Sequence, residues 1–400
     1  MVRRMQTPTA VDATLRDVIQ ELAPVTRGAG TPGEREAAGL LRDRFERMGV
    51  PARVEEELYD HGYARLHGLF AATGVVAGAL AATGRARPFA FAAGLAAALA
   101  GADDAANGWR PARRVLERRR TTWNVVAEVG AHTAERTLVV LAHHDAAPTG
   151  FVFDDTLQRK VHERFPELIE RTDTALPMWW PTHAGPLLAA AGALTGRRGL
   201  ARAGATLSAA SAVALADIAR DRIVPGAGDN LTGVAVLVGL AARLQAEPVD
   251  GLRVVLASCG AEEVLQGGIY GFTARHLKGL DPAATWVLNV DTVGSPRLVM
   301  LEGEGTLWVE DYREPAFRDL IAAVAEAEGI PLRRGLRART SSDAVVPSRA
   351  GFPTAMLCSV NAWKAIDNYH KPSDVPENVH YETVAAALSL SEALARRLAR

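Results

Sequence analysis

The stretch LVVLAHHD at residues 138–145 joins an apolar run to three side chains that can bind a metal or exchange a proton. Residues 138–142 are short, apolar and rich in leucine and valine, which is typical of a buried strand. In an extended chain the side chains of His143 and Asp145 lean to one side, and that of His144 points away. We expect His143 to bind a metal, Asp145 to fix its tautomer, and His144 to be structural.

Four more segments carry ligand-type side chains: Gly228-Asp229-Asn230, Ala261-Glu262-Glu263, Asn289-Val290-Asp291 and Tyr369-His370. Most of them follow an apolar run that reads as a strand, and strand ends in an open α/β sheet are where catalytic groups collect. Taken singly, each has a plain structural reading, such as a helix cap for Asp229. Taken together, they predict a site for one or two divalent metals.

The order of apolar runs predicts the fold class. Strands are expected near residues 51–58, 122–129, 136–142, 252–258, 285–290 and 352–360, and helices near 9–23, 33–48, 231–246, 315–329 and 380–399. Strands that alternate with helices favour a layered α/β fold. We therefore expect a mixed, mostly parallel central sheet flanked by helices.

The ligand segments resemble those of the zinc aminopeptidase family that also includes glutamate carboxypeptidase and glutaminyl cyclase. The matching segments are LAHHD at 141–145, GDNLTG at 228–233, GAEE at 260–263, NVD at 289–291 and HKPSD at 370–374. The segment GTPG at 30–33, followed by a helix, also looks like the start of that family. The resemblance covers roughly residues 10–60, 122–150 and 226–400, and it implies a phosphorylase/hydrolase-like zinc exopeptidase fold.

The resemblance also implies roles for individual residues and two zinc ions as cofactors. One ion would be held by His143, Asp229 and Asp291, and the other by His370, Asp229 and Glu263. Glu262 would be the general base, and Asp145 would orient His143. Tyr369 is a candidate for a substrate contact only because it adjoins the ligand His370. Ser342-Asp343 resembles the start of a Ser-Asp-His segment of the family, but Ala344 replaces the histidine, which speaks against a substrate contact there.

The function implied is metal-dependent hydrolysis of peptide or amide bonds, as in an aminopeptidase or another exopeptidase, with a peptide or small amide as substrate. One alternative is a glutaminyl-cyclase-like acyltransferase with one zinc, and another is a non-catalytic binding homologue. The complete ligand set and the base favour hydrolysis over both.

Two blocks interrupt the scaffold of residues 1–60, 122–150 and 226–400. Residues 61–121 and 151–225 each read as an apolar helical hairpin rich in alanine and glycine. The first reading is a soluble cap or homo-oligomer interface, in which the second insert overhangs the site as a lid. The alternative is a membrane anchor formed by residues 66–102 and 185–216. Gly74 and Gly78 would allow close helix packing, Trp179 and Trp180 could lie at an interface, and arginines such as Arg113 could meet anionic lipid.

The charge and motif content of the chain argue against nucleic-acid binding. The 400-residue chain has a formal net charge of −1 and no zinc-finger, phosphate-loop or RNA-binding signature, so a nucleic-acid partner is not expected. Cys259 and Cys358 are expected to be buried reduced thiols. The N-terminus shows no apolar secretory segment, so the cytoplasm is the default compartment and the cell membrane the alternative.

Overall fold

The computed structural model describes residues 10–174 and 177–400. The helices in these residues are α1 Ala10–Leu22, α2 Pro32–Arg47, α3 Ala64–Thr83, α4 Arg87–Ala105, α5 Pro111–Leu116, α6 Thr156–Arg164, α7 Pro166–Glu170, α8 Trp180–Thr195, α9 Arg198–Ile218, α10 Thr232–Ala246, α11 Gly267–Phe272, α12 Pro315–Ala327, α13 Val345–Arg349 and α14 Tyr381–Leu398. The strands are β1 Ala52–Asp60, β2 Arg119–Gly130, β3 Thr137–His143, β4 Arg253–Cys259, β5 Thr285–Val290, β6 Arg297–Glu304, β7 Glu310–Asp311, β8 Arg333–Ala338 and β9 Thr354–Val360.

All of these strands form one mixed sheet in the order β1-β2-β4-β3-β5-β9-β6-β7, with β8 paired to β6. The four central strands β4, β3, β5 and β9 are parallel. The pairs β1–β2, β2–β4 and β6–β9 are antiparallel, and β8 runs parallel to β6. The expected α/β fold with a mixed sheet is confirmed, and its parallel part is the centre.

The pattern of the apolar runs explains which strands the sequence reveals. β3 and β9 are buried along their whole length, because helices cover both faces of the central sheet. β6, β7 and β8 were not expected. In β8, Arg334 reaches across to Glu302 of β6 and Arg337 to Asp311 of β7, so ion pairs take the place of an apolar face. A strand held in this way shows no apolar alternation in its sequence.

Hydrophobic cores pack against both faces of the sheet. The larger one packs α1, α2, α10 and α14 against one face, and α10 is buried along most of its length. The smaller one packs α11 and the segment around Phe352 against the other face. Cys259 and Cys358 are buried free thiols, as expected.

The two predicted hairpins pack against each other to form one four-helix bundle, here called the insert bundle, of α3, α4, α8 and α9. The tips of the hairpins meet, because Arg87 donates hydrogen bonds to the carbonyl oxygens of Ala193 at 2.8 Å and Leu194 at 3.0 Å. The sequence predicts both hairpins but not their association, since neither helix pair carries a motif that specifies its partner.

Small residues allow the helices of the insert bundle to approach closely. A Cβ atom at Gly78 would lie 2.7 Å from the carbonyl oxygen of Ala201, and one at Gly74 would lie 2.4 Å from Ser208 Oγ. The close approach expected of Gly74 and Gly78 is therefore confirmed.

Three helical segments of the described chain are long and apolar enough to cross a membrane, judged by length and composition. They are Ala64–Thr83, Arg198–Ile218 and Ala227–Ala246. The last of them is 89% buried, because it contains the core helix α10. The first two belong to the insert bundle and are only 44% and 28% buried.

Candidate metal centre

The five predicted segments converge at one edge of the sheet. His143 is the last residue of β3, Asp291 follows β5 directly, and Glu263 lies in the short helical turn after β4. Because these strands are parallel, their carboxyl ends share an edge. Asp229 reaches this edge from the turn before α10, and His370 from the loop after β9.

Two groups of ligand-type atoms form at this edge. In the first, His143 Nε2 lies 3.3 Å from Asp229 Oδ1 and 3.6 Å from Asp291 Oδ1. In the second, His370 Nε2 lies 3.3 Å from Asp229 Oδ2 and 3.2 Å from Glu263 Oε2. Within each group the atoms lie within 4.8 Å of one another. Asp229 turns one carboxylate oxygen to each group, which is the geometry of a bridging ligand.

The donor atoms of the site fit a bound cation. Asp229 Oδ2, Glu263 Oε1 and both ring nitrogens of His370 are buried and have no hydrogen-bond partner in the described residues. Buried polar atoms normally have a partner, and leaving one without costs about 1–3 kcal/mol. Histidine nitrogens and carboxylate oxygens are donors that zinc accepts. The residues therefore fit the metal that the sequence resemblance implies.

The charges at the site depend on one another. Burial alone would raise the pKa of Asp229, but the neighbouring His143 and His370 hold it below its ordinary value. Burial raises the pKa of Glu263 to about 7, although His370 opposes this. Burial would lower the pKa of His370, but Glu263 and Asp229 raise it to about 10. Positive charge therefore stabilises the buried carboxylates, and a cation bound between them would supply it.

Asp145 links the two halves of the site. Its carboxylate lies 3.4 Å from His143 Nδ1, where the sequence analysis expects it. The same carboxylate accepts hydrogen bonds from the backbone N–H groups of Glu262 at 3.0 Å and Glu263 at 3.1 Å. Asp145 therefore orients the histidine ring and also holds the turn that carries both glutamates.

Glu262 is buried, lines a cavity and accepts a hydrogen bond of 3.1 Å from Gln266 Nε2. Burial raises the pKa of Glu262 well above its ordinary value, and nearby acidic groups such as Asp343 add to this, against the opposing effect of His143. A glutamate in such surroundings holds a proton strongly. This is the property required of a group that takes a proton and returns it.

His144 is separate from the site, as expected. Its ring is fully buried, and its Nδ1 lies 3.0 Å from the Oγ of Ser258. Burial lowers the pKa of His144 to about 4, so the ring is neutral near pH 7.

Two residues without a role in the sequence analysis position Asp229. Asp374 accepts hydrogen bonds from the backbone N–H groups of Gly228 at 2.7 Å and Asp229 at 3.0 Å. Arg27 is fully buried and donates to the carbonyl oxygens of Pro225 and Gly226, both at 2.6 Å. Asp374 lies inside a matching segment and could have been found there, but nothing in the sequence around Arg27 indicates its role.

His370 is held between two aromatic rings. Tyr369 stacks on it with ring centroids 3.9 Å apart, and Phe153 approaches it to 4.4 Å. Phe153 belongs to the second insert, so this insert takes part in holding a ligand-type residue. Burial raises the pKa of Tyr369 well above its ordinary value, so its hydroxyl group remains neutral at the cavity wall.

The Ser342-Asp343 segment lies beneath the site. Ser342 donates a 2.9 Å hydrogen bond to Glu304, and Ala344 is fully buried. Asp343 is buried, and neither of its carboxylate oxygens has a hydrogen-bond partner in the described parts of the chain. Burial raises the pKa of Asp343 well above its ordinary value. The buried position of Ala344 agrees with the expectation that this segment does not contact substrate.

Two arginines of the first insert donate hydrogen bonds to the turn that carries Glu262 and Glu263. Arg113 donates to the carbonyl oxygen of Val264 at 3.1 Å, and Arg110 donates to that of Leu265 at 2.9 Å. Arg113 also pairs with Asp104 through two hydrogen bonds of 2.7 Å. The expectation that Arg113 could meet anionic lipid is wrong, because its side chain is buried and fully engaged.

A cavity of about 410 Å³ opens onto the site. Its lining includes Glu262, Glu263 and His370 of the site. It also includes Trp179 and Leu207, both from the second insert. Residues of the second insert therefore line the same cavity as the site, and its role as a lid stays a prediction.

Comparison with known proteins gives one family and many related folds. Residues 209–395 match the model of peptidase family M28. No curated protein matches the chain. Among solved structures, the glutaminyl cyclase of Bacteroides thetaiotaomicron bound to N-acetylhistamine has a TM-score of 0.57 and 12% identity, with 98% of this chain and 99% of that chain covered.

Two peptidase structures are similar to the same degree. An aminopeptidase from Aneurinibacillus sp. strain AM-1 has a TM-score of 0.55 and 14% identity, over 96% of this chain and 92% of that chain. A Zn-dependent exopeptidase from Parabacteroides distasonis has a TM-score of 0.55 and 12% identity, over 98% of this chain and 100% of that chain. The resemblance inferred from the five segments is thereby confirmed: residues 209–395 match peptidase family M28, and the fold is similar to those of zinc-dependent exopeptidases and aminopeptidases.

Proposed function

We propose that this protein is an exopeptidase, most simply an aminopeptidase, that works with two zinc ions. The observation that carries the proposal is the position of Asp229, which turns one carboxylate oxygen to His143 and the other to His370. His143, Asp229 and Asp291 would hold one ion, and His370, Asp229 and Glu263 the other. The Parabacteroides distasonis structure of similar fold is named a Zn-dependent exopeptidase, which supports zinc as the cation.

Bound zinc would supply the Lewis acid that polarises the carbonyl group of the scissile bond. Glu262 would accept a proton from the attacking water and pass it to the leaving amine. Asp145 keeps Glu262 in place by holding the backbone of the turn, and Gln266 orients its carboxylate. Tyr369 offers a neutral hydroxyl group at the cavity wall that can donate a hydrogen bond to substrate.

The shape of the site supports action on short substrates. The second insert contributes to the lining of the cavity, and the cavity volume is that of a small-molecule site. A cavity of this size suits one end of a peptide better than a long extended chain. We therefore propose short peptides or small amides as substrates, with the second insert as a lid.

The experiment is to compare wild type with Glu262→Gln after both have been loaded with zinc. A proton-transfer residue contributes about 10²–10⁴-fold to the rate, so kcat should fall by this factor while the zinc content stays the same. The exposed Glu326→Gln is the control and should keep full activity. Unchanged turnover in Glu262→Gln would overturn the assigned mechanism.

The same preparation separates the two alternatives. One zinc ion per chain, together with cyclisation of peptides that begin with glutamine, would show a glutaminyl-cyclase-like enzyme. Peptide binding without turnover of any substrate would show a binding homologue.

A further inference from the structure

The insert bundle has an inverted distribution of apolar side chains. Its interior contains small residues, among them Ala77, Ala90, Ala189 and Ala201. Large apolar residues are exposed on all four helices: Leu69 and Val76 on α3, Phe89 and Leu99 on α4, Leu187 and Leu194 on α8, and Val213 on α9. Buried large residues, such as Leu66 and Phe70 on α3 and Leu215 on α9, lie near the ends of these helices that join the scaffold. A helix bundle in water buries its large apolar side chains and exposes polar ones. Small residues between helices and large apolar residues outside are the pattern of helices packed in lipid.

The charged residues of the insert bundle are concentrated at the tips of the two hairpins. Residues 61–102 and 177–216 contain six arginines and no aspartate, glutamate or lysine. Four of the six, Arg85, Arg87, Arg197 and Arg198, lie at or beside the hairpin tips. The helical walls between the tip and the scaffold are therefore almost free of charge, whereas soluble surfaces intersperse both signs.

The length of the helices matches a bilayer. α3 has 20 residues and α9 has 21. At 1.5 Å per residue each is about 30 Å long, which is about the thickness of the hydrocarbon core.

Exposed tryptophans lie where the insert bundle joins the scaffold. Trp180 begins α8, and Trp109 follows the end of α4. Trp308 is adjacent to Leu307, whose carbonyl oxygen accepts a hydrogen bond of 3.2 Å from Trp180 Nε1. Tryptophan is enriched at the level of lipid headgroups, where one side of the ring is apolar and the other is hydrated.

We propose that the insert bundle is embedded in a lipid bilayer and that the catalytic site lies at the membrane surface. The occupant of the apolar surface is lipid rather than a second copy of the chain, because the exposed large side chains occur on all four helices. A single dimer interface would cover one side of the bundle only. The tip arginines complement anionic headgroups.

The test is flotation of the full-length chain with vesicles of phosphatidylcholine, with and without phosphatidylglycerol. Phe89→Lys combined with Leu99→Lys places two charges on the outer wall, at positions that are 62% and 60% exposed. Leu58→Lys combined with Leu157→Lys is the matched control outside the insert bundle, at positions that are 69% and 74% exposed. Far-UV circular dichroism checks that all variants are folded.

We expect wild type and the Leu58/Leu157 control to float with vesicles, more strongly with phosphatidylglycerol, and the Phe89/Leu99 variant to partition at least about 100-fold less. Quenching of tryptophan fluorescence by brominated lipid gives a second readout that needs no variant. Wild type that stays monomeric and vesicle-free without detergent would overturn the proposal in favour of a soluble cap. A detergent-free dimer that the Phe89/Leu99 change dissociates would overturn it in favour of a second copy.

An independent observation concerns Arg339. The neighbouring Arg333, Arg334 and Arg337 each pair with a carboxylate. Arg339 has no carboxylate partner among the described residues, lies over the ring of Trp180 at 5.4 Å, and lines the cavity. No other arginine or lysine of the described chain lines this cavity.

Arg339 is linked to the site by a short chain of contacts. Two residues further on, the carbonyl oxygen of Ser341 accepts a hydrogen bond of 2.7 Å from Gln266 Nε2, which also donates to Glu262 at 3.1 Å. The segment that carries Arg339 is therefore bonded to the group that contacts the proposed base.

We infer that Arg339 binds a carboxylate of the substrate, an inference that rests on the proposed peptidase function. A guanidinium can hold a carboxylate through two parallel hydrogen bonds, and an arginine without a partner at a cavity wall is free to do so. The carboxylate could be the C-terminus of a short peptide or an acidic side chain.

The test compares hydrolysis of dipeptides with a free C-terminus and the same dipeptides as C-terminal amides, and of amidated dipeptides with Glu and with Gln. We expect wild type to prefer at least one acidic form by about 10-fold or more in kcat/KM, and Arg339→Gln to lose this preference. Arg333→Gln, which removes a paired arginine outside the cavity, should keep it.

An equal preference in wild type and Arg339→Gln would overturn the inference. Calorimetric binding of the same acid and amide pair to the zinc-loaded Glu262→Gln chain gives a readout without turnover. Failure of the peptidase function would abolish hydrolysis of all substrates but would leave the difference in binding, so the two failures are distinguishable.

Discussion

Replacement of Arg113 by methionine should both destabilise the protein and slow catalysis. Arg113 is 3% exposed, and its partner Asp104 is fully buried. The guanidinium makes two hydrogen bonds to Asp104 and one each to the carbonyl oxygens of Asp60 and Val264. In Arg113→Met, the Asp104 carboxylate keeps only His67 as a side-chain partner, at 2.9 Å.

The expected loss of folding free energy follows from the burial of this ion pair. Breaking a buried ion pair by removing one partner costs about 3–5 kcal/mol, because the other charge is left buried. An exposed pair contributes only about 0.2–1 kcal/mol. Arg334→Met, which removes a more exposed arginine from Glu302 and Asp319, should therefore cost about 1 kcal/mol or less. The double change Arg113→Met with Asp104→Leu should recover part of the loss, because both charges are gone.

The assay is urea unfolding of the four chains in one buffer, together with kcat/KM for a short peptide. Arg113→Met should also lower kcat/KM by about 10-fold or more, or about 1.4 kcal/mol, because the turn after Glu262 and Glu263 loses a donor. A destabilisation as small as that of Arg334→Met would refute the reasoning. So would a double variant that is less stable than Arg113→Met.

Three further outcomes are expected. Asp374→Asn should weaken zinc binding by about 10–100-fold in a chelator competition, because Asp374 holds the backbone of a bridging ligand. Gly78→Leu should lower the free energy of unfolding by about 1–3 kcal/mol or more, since its side chain would meet the backbone of α9, while Gly199→Ala, with open space around it, should be close to neutral. Burial would raise the pKa of Glu55, but hydrogen bonds from His276 and Arg53 lower it to about 2 from an ordinary 4.5. Its stabilisation is therefore complete above the ordinary pKa and lost as pH falls toward 2, so wild type and Glu55→Gln should converge in acid unfolding over that interval.

The sequence reveals the centre of the fold and the candidate site because both leave local signals. A buried parallel strand such as β3 is a continuous apolar run, and a ligand at its end stands out as a polar residue after that run. His143 and Asp291 are found in this way. The five segments together predict the site although each alone does not, since strand ends are brought together only by the sheet.

Contacts between residues that lie far apart in the sequence leave no such local signal. Arg27 acts on a turn about 200 residues away, and Arg113 on one about 150 residues away, through carbonyl oxygens that every residue has. The association of the two hairpins depends on the shape of their surfaces. Glycine and alanine allow helices to approach closely, but they do not specify which helix packs against which. β8 is hidden for a related reason, because its pairing relies on arginine contacts to Glu302 and Asp311.

The zinc content of the purified full-length chain at saturation, measured by elemental analysis, tests the central claim most directly. Asp229 faces both ligand groups, so we predict two zinc ions per chain for wild type and a large loss of both for Asp229→Ala. One ion per wild-type chain, or an Asp229→Ala chain that still holds two, would contradict the proposed two-metal site.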